Sequence, residues 1–254
     1  MTDPEIRFKL TLHYDGGAFR GWQVQPGQAT VQGTIENAVS RLTGEHRTVV
    51  GSGRTDTGVH ATGQIAAVTM PAPWTARELA RSLNALLPGT IWVQEIEAVH
   101  ESFHPRIDAV ARSYEYRIGT ASHAASPFHR RWCWPLCRPL DLDAAGRAAH
   151  LLPGEHEFRA FAKSGQPQRG YACHVSSARW RHWNGPGAVF EITANRFLHR
   201  MVRYLVGTMV DIALDRRKEE EMARLLNGDA ELTTSPPAPP SGLFLTRVKY
   251  EYDK

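Results

Sequence analysis

The chain has 254 residues, 42% of them hydrophobic and 22% charged, with a formal net charge of +4. That composition suits a globular protein with a real core, and no apolar run approaches the roughly 20 residues needed to cross a bilayer. The opening MTDPEIRFKL lacks a signal peptide's basic start and apolar stretch, and three cysteines, an odd number, exclude a full disulfide framework; the expectation is a soluble cytoplasmic protein.

In chain order, RFKLTLHY alternates Phe8, Leu10, Leu12 and Tyr14 and predicts a half-buried strand. TVQGTIENAVSRLTG sets Val31, Ile35, Val39 and Leu42 on one helical face, with Thr30 as N-cap and Gly44 as stop. RTVVG predicts a short strand, GSGRTDTGVHA a loop, and QIAAVTM a second strand. TARELARSLNALLPG opens with a Thr75/Glu78 capping box, carries Leu79, Leu83 and Leu87, and ends at Pro88-Gly89. TIWVQEIEAV closes the first half as a strand.

The second half repeats this β-α-β-β-α-β order. AVARSYEYRI predicts a strand and DLDAAGRAAHLL a helix. SSARWRHW and AVFEITA form a hairpin over Asn184-Gly185-Pro186-Gly187. RFLHRMVRYLVGTMVDIAL predicts one long helix, SPPAPPSG a stiff linker, and GLFLTRVKYEY the last strand. HRRWCWPL adds an aromatic strand and EEEMARLLNG a short helix. The fold class is therefore α+β: two ferredoxin-like halves, 1–104 and 105–254, whose largely antiparallel sheets join around a central basic cleft.

The charge is unevenly spread. Residues 1–104 hold 8 Lys/Arg and 10 Asp/Glu, the rest 22 and 16, and between Arg159 and Arg203 eight basic residues face one acid, Glu191. Such a stripe suits a phosphate-rich partner or is simply a solvated face. In GSGRTDTGVHA, Asp56 stands among glycines that permit tight turns, with Arg54, Thr55, Thr57 and His60 around it. An Asx-turn would explain a lone Asp in such a loop, but this loop is too polar for its length, which points to function. At about 100° per residue, the predicted long helix puts Arg196, His199, Arg200 and Arg203 on one face. An arginine buried there needs an anionic partner, for which Asp56 is a candidate. Tyr114 and Tyr116 share a strand face that suits a core or a platform for unpaired bases. Cys133, Cys137 and His129 lack the paired spacing of a zinc site, Cys173 and His174 diverge on a strand, and no phosphate-binding loop or dinucleotide fingerprint occurs.

These constellations fall into one pattern. YDGGAFRGWQVQP, VQGTIENAV, GRTDTGVHA, LNALLPGTI, FHPRIDAVARSYEYRI, NRFLHRMVRYLVG and GLFL occur in order over nearly the whole chain, which thereby resembles the TruA family of tRNA pseudouridine synthases. The resemblance implies the pseudouridine synthase fold and an isomerase that turns uridines 38, 39 and 40 of the tRNA anticodon stem-loop into pseudouridine. It implies that Asp56 is the catalytic aspartate, Tyr114 the active-site tyrosine and Arg203 the ionic partner of Asp56. Arg54 would help extrude the target base, Leu243 and Leu245 would lie against the uracil, and His199 and Arg200 would contact the RNA. It implies a homodimer, no metal and no cofactor. The carboxylate could act at the sugar C1′, at uracil C6 or on a ribose proton. One departure is local: Ala172-Cys173-His174 stands where many relatives carry a Thr-x-Arg stretch. A non-catalytic RNA-binding module would share the basic face and Tyr114; a metal-dependent nuclease would need an acidic cluster, and the basic segment offers only Glu191.

Overall fold

The computed structural model of the chain describes residues 4–163, 170–183 and 185–252. The architecture is α+β and groups into two compact units, Met1–Val110 with Leu245–Lys254, and Ala111–Phe244.

The first unit runs β1 (Glu5–Tyr14), α1 (Val31–Thr43), β2 (Val50–Gly51), β3 (His60–Pro71), α2 (Ala76–Leu86) and β4 (Ile91–Val99). Its strands lie in the order β4-β1-β3, antiparallel, with β2 also on β3, which is the ferredoxin-like split order. Alternation along β1 puts Phe8, Leu10 and Leu12 on one side, all buried. Val31, Ile35 and Val39 of α1 and Leu79 and Leu83 of α2 are fully buried as well. Each such side chain contributes about 1.5–3 kcal/mol relative to exposure. Both helix starts follow the sequence reading. Thr30 Oγ1 accepts from Gly33 N at 3.3 Å. Thr75 Oγ1 accepts from Glu78 N at 3.3 Å while Glu78 Oε2 accepts from Thr75 N at 3.1 Å, closing the capping box.

The second unit runs β5 (Ala109–Gly119), α3 (Pro127–Arg130), β6 (Trp134–Pro135), α4 (Leu142–Ala149), β7 (Gly154–Glu157), β8 (Ala172–His182), β9 (Gly187–Ala194), α5 (Met201–Ala213), α6 (Glu220–Leu226) and the first residues of β10 (Leu243–Tyr250). Strands β5-β9-β8-β7 are antiparallel neighbours, and β6 pairs in parallel with β5 at Ile118↔Trp134. The β8–β9 hairpin stands where expected; Asn184 of its turn lies outside the described residues.

Three differences from the sequence reading matter. The predicted strand HRRWCWPL is a turn of helix followed by a two-residue bridge. Strand β7, GEHE, has no apolar alternation to announce it and is held by four residue pairs with β8. Above all, the long helix does not begin at Arg196. Arg200 adopts φ 64° in the left-handed region, and α5 starts at Met201. The preceding main chain is engaged elsewhere: His199 O accepts from Lys163 N, and Asn195 N donates to His174 O while its carboxamide oxygen accepts from His174 N. Arg196, His199 and Arg200 therefore do not share a helix face with Arg203. From Met201 onward the helix is as apolar as expected, with all but Tyr204 and Asp211 buried.

Candidate active site

Asp56 lies, as expected, in the connection between the paired strands β2 and β3, where Val50 faces Ala67 and Gly51 faces Ala66. Its side chain is half-buried; Arg54 and Thr57 beside it are exposed. The loop is not free to sway. Thr55 O accepts from Trp22 N at 3.1 Å, and the Thr55 hydroxyl meets the Tyr14 hydroxyl at 2.8 Å, both residues buried. Gln64, fully buried, donates through Nε2 to Gly53 O at 3.0 Å, and its Oε1 accepts from Ser52 Oγ at 2.7 Å. At the loop's end, His60 Nδ1 lies 3.1 Å from Gly16 N and 3.2 Å from Asp15 Oδ1, with the imidazole buried. The loop turns on Gly58 at φ 80°, and Val59 N donates to Asp56 O at 3.1 Å. Gly21, at φ 91°, lets the YDGGAFRGW segment lie against the loop, since a β-carbon there would come 2.8 Å from Thr55 O.

This resolves why the loop is so polar. Thr55, through its hydroxyl, and His60, through Nδ1, are its anchors on buried partners, and Ser52 joins them. What they fix in place is the main chain that carries half-buried Asp56 and exposed Arg54. Tyr14, read from the sequence only as a strand residue, and Trp22 and Gln64, given no role there, are part of the same scaffold. Their signal was available in part: Tyr14 and Gln64 are polar interruptions on the inward-facing side of apolar strands.

In the second unit, Tyr114 is half-buried on β5, opposite Ile192 of β9, and packs edge-on against Phe197 with ring centroids 4.9 Å apart. Tyr116, two residues on, is fully buried and makes a different set of contacts, so the two tyrosines have separate roles. Arg203, in the first turn of α5, is 9% exposed. Its Nε donates to Ala238 O at 2.6 Å, and its own carbonyl accepts from Ala238 N at 2.9 Å. The segment read as a linker is thus a strap laid along α5, with Ser235 N donating to Thr208 Oγ1 at 3.3 Å. The strap leads through a short turn, Pro240–Gly242, into Leu243, which is buried, as is Leu245 in the first unit. His199 is exposed and Arg200 half-buried, both in the irregular stretch before α5.

The electrostatics revise the basic stripe. Arg179 Nε and Arg181 Nε contact the two carboxylate oxygens of Glu191 at 2.7 and 2.5 Å, and Arg181 also reaches Glu115 at 3.5 Å. Partial burial of Glu191 opposes ionisation, but the two arginine hydrogen bonds outweigh it and hold the carboxyl below the usual range. Arg159 sits over the Tyr171 ring, 4.7 Å from its centroid. Burial pushes the Tyr116 hydroxyl well above the ordinary phenol value, with the Arg203 charge pulling the other way. Among the described residues, no group of three His, Cys, Asp or Glu side chains is placed to hold a metal ion.

Comparison with known proteins bears on both units. The family model described as tRNA pseudouridine synthase matches residues 11–108 and 148–251. The tRNA pseudouridine synthase A of Moorella thermoacetica is 41% identical over 244 residues, covering 95% of this chain and 98% of that protein. That of Chlorobaculum tepidum is 40% identical over 251 residues, covering 98% and 100%. That of a Geobacter species is 37% identical over 243 residues, covering 95% and 98%.

Proposed function

The chain belongs to the tRNA pseudouridine synthase A family, and from that premise we propose that it isomerises uridines 38, 39 and 40 of the tRNA anticodon stem-loop with Asp56 as its catalytic carboxylate. The enzyme class is isomerase. The reaction breaks the bond between uracil N1 and ribose C1′, turns the base, and joins C5 to C1′. C5 gives up its proton and N1 takes one up, so composition and oxidation state are unchanged and no cofactor or metal is called for. The target nucleotide must first leave the stack, at a cost of a few kcal/mol. A carboxylate is then needed as nucleophile or base.

The observation that carries the reading is the Asp56 loop, which lies inside the matched span and presents a half-buried carboxylate on a scaffold of buried hydrogen bonds. Correspondence with the family's motifs supports the remaining roles. Arg203 is assigned as ionic partner of Asp56, Tyr114 as the ring against the base, and Leu243 and Leu245 as the apolar contact of the uracil. Arg54 is assigned to extrusion of the nucleotide, and His199 and Arg200 to RNA contacts. The working form is a cytoplasmic homodimer.

Asp56→Asn tests this directly, because it keeps the shape of the side chain and removes its charge and nucleophilicity. With tRNA tritiated at uracil C5, the variant should release no tritium above background. Its affinity for tRNA should stay within about threefold of wild type, since a lost anion does not weaken attraction to phosphates. Turnover above a small fraction of the wild-type rate would refute Asp56 as the catalytic group.

A further inference from the structure

The Arg203 guanidinium and Leu243 are both fixed by one short stretch, Ser235–Gly242, and a single side chain from β5 holds that stretch in the middle. Tyr116 donates its hydroxyl proton to Pro239 O at 2.7 Å. The next residue upstream, Ala238, is the one whose carbonyl accepts from Arg203 Nε and whose N–H bonds the Arg203 carbonyl. Three residues downstream of Pro239, the Tyr116 ring lies against Gly242: a β-carbon there would come 2.8 Å from two ring atoms and 2.7 Å from Arg117 O. Gly242 immediately precedes Leu243. At the other end of the strap, a β-carbon on Gly207 of α5 would meet Pro236 O at 2.2 Å, so helix and strap are in direct contact. The tyrosine is fully buried and its ring meets Trp134 edge-on at 6.5 Å, which leaves it no freedom to follow a displaced strap.

We propose that Tyr116 is a positioning residue for catalysis: through the Pro239 carbonyl and Gly242 it sets the strap that aims Arg203 and places Leu243. The proposal rests on the assignment of Arg203 given above. An all-apolar residue would fill the same space. The hydroxyl adds direction, because a buried O–H must be satisfied and Pro239 O is the acceptor it has. Proline carbonyls suit such a role, since rigid rings on both sides of the acceptor transmit its position along Pro239-Pro240. Tyr116 does not touch the RNA or the reacting atoms in this account, and its effect should therefore appear in turnover and not in binding.

The test is Tyr116→Phe, which keeps the ring and deletes the one oxygen. Misplacement of a catalytic group by about 1 Å can cost on the order of 100-fold, so kcat for tRNA should fall roughly 10- to 100-fold while KM stays within about twofold. Arg203→Lys should cripple turnover, and adding Tyr116→Phe to it should cost nothing further, because both act through the same group. Pro239→Ala, which loosens the strap at a half-buried position without touching the core, should give the same kcat-selective loss, and serves if Tyr116→Phe fails to fold. Wild-type kcat in folded Tyr116→Phe and in Pro239→Ala, with Arg203→Lys crippled, overturns the role of Tyr116 alone. A raised KM with unchanged kcat overturns it in favour of an RNA contact. Wild-type turnover in Arg203→Lys overturns the assignment of Arg203 and the proposal with it.

Discussion

Gly21→Ala isolates the clamp that holds the Asp56 loop. Gly21 sits at φ 91°, where a residue with a β-carbon is strained by about 1–2 kcal/mol. The new β-carbon would also stand 2.8 Å from Thr55 O and 3.3 Å from Asp56 C and Thr57 N. All three are main-chain atoms, so no rotamer change relieves the contact and residues 55–57 must move. Moving them stretches the Trp22 N to Thr55 O bond, now 3.1 Å, at a further cost of about 1 kcal/mol. The sum is about 2–3 kcal/mol, equivalent to a fall in melting temperature of about 4–12 °C for a chain of this size. Gly27 is the control. It too has positive φ, 68°, but a β-carbon there meets nothing within 4 Å, so Gly27→Ala bears the backbone strain alone. Melting curves and tritium release in one buffer compare the two. Gly21→Ala should lose at least about tenfold in turnover through displacement of Asp56, and Gly27→Ala should keep wild-type turnover. Equal activities in the two variants would refute the clamp.

Cysteine labelling probes the second unit. Burial pushes the Cys133 thiol up and the Cys173 thiol up to about 11, while Cys137 is exposed, so native protein at neutral pH should take one equivalent of maleimide and denatured protein three. A second equivalent taken up quickly by the native protein would count against the buried placement of the other two. Because Arg179 and Arg181 are occupied by Glu191, their alanine variants should leave the salt dependence of tRNA affinity unchanged, whereas Lys163→Ala, at an exposed position, should lower the slope by about 1. A lowered slope for Arg179→Ala or Arg181→Ala would show that these arginines exchange their carboxylate for phosphate. Light scattering at micromolar concentration should give twice the 28.4 kDa chain mass; a fully active monomer would remove the homodimer.

Elements with both a periodic apolar pattern and a chemical punctuation mark were legible. In α2 the period-3.6 leucines set the buried face and the Thr75/Glu78 pair set the start, and the two signals agree within a residue. The long helix had the pattern but no punctuation. Nothing in RFLHRMVRYLV is a helix breaker, and Arg200 takes positive φ where Asn195 is drawn to His174 and His199 to Lys163. Those are tertiary contacts, and no local window contains them. Strand β7 shows the converse. GEHE has little strand character of its own and becomes a strand because β8 offers it an edge.

The site divides along the same line. Asp56 stands out in the sequence because its loop is too polar for its length, although an Asx-turn would explain a lone aspartate there. The roles of its neighbours do not, because a threonine or a histidine looks the same whether it faces substrate or a buried partner. Only Tyr14 at 2.8 Å from Thr55, and Asp15 and Gly16 beside His60, distinguish the two. Charge behaves likewise. A count between Arg159 and Arg203 gives eight bases to one acid, but one carboxylate with two oxygens can hold two guanidinium groups, and Glu191 does. The strap makes the point most sharply. SPPAPPSG has the composition of a spacer, and its prolines do make it stiff. Stiffness is also what a positioning element requires, and which of the two it serves depends on Arg203 and Tyr116, one from α5 and one from β5, meeting successive carbonyls at Ala238 and Pro239.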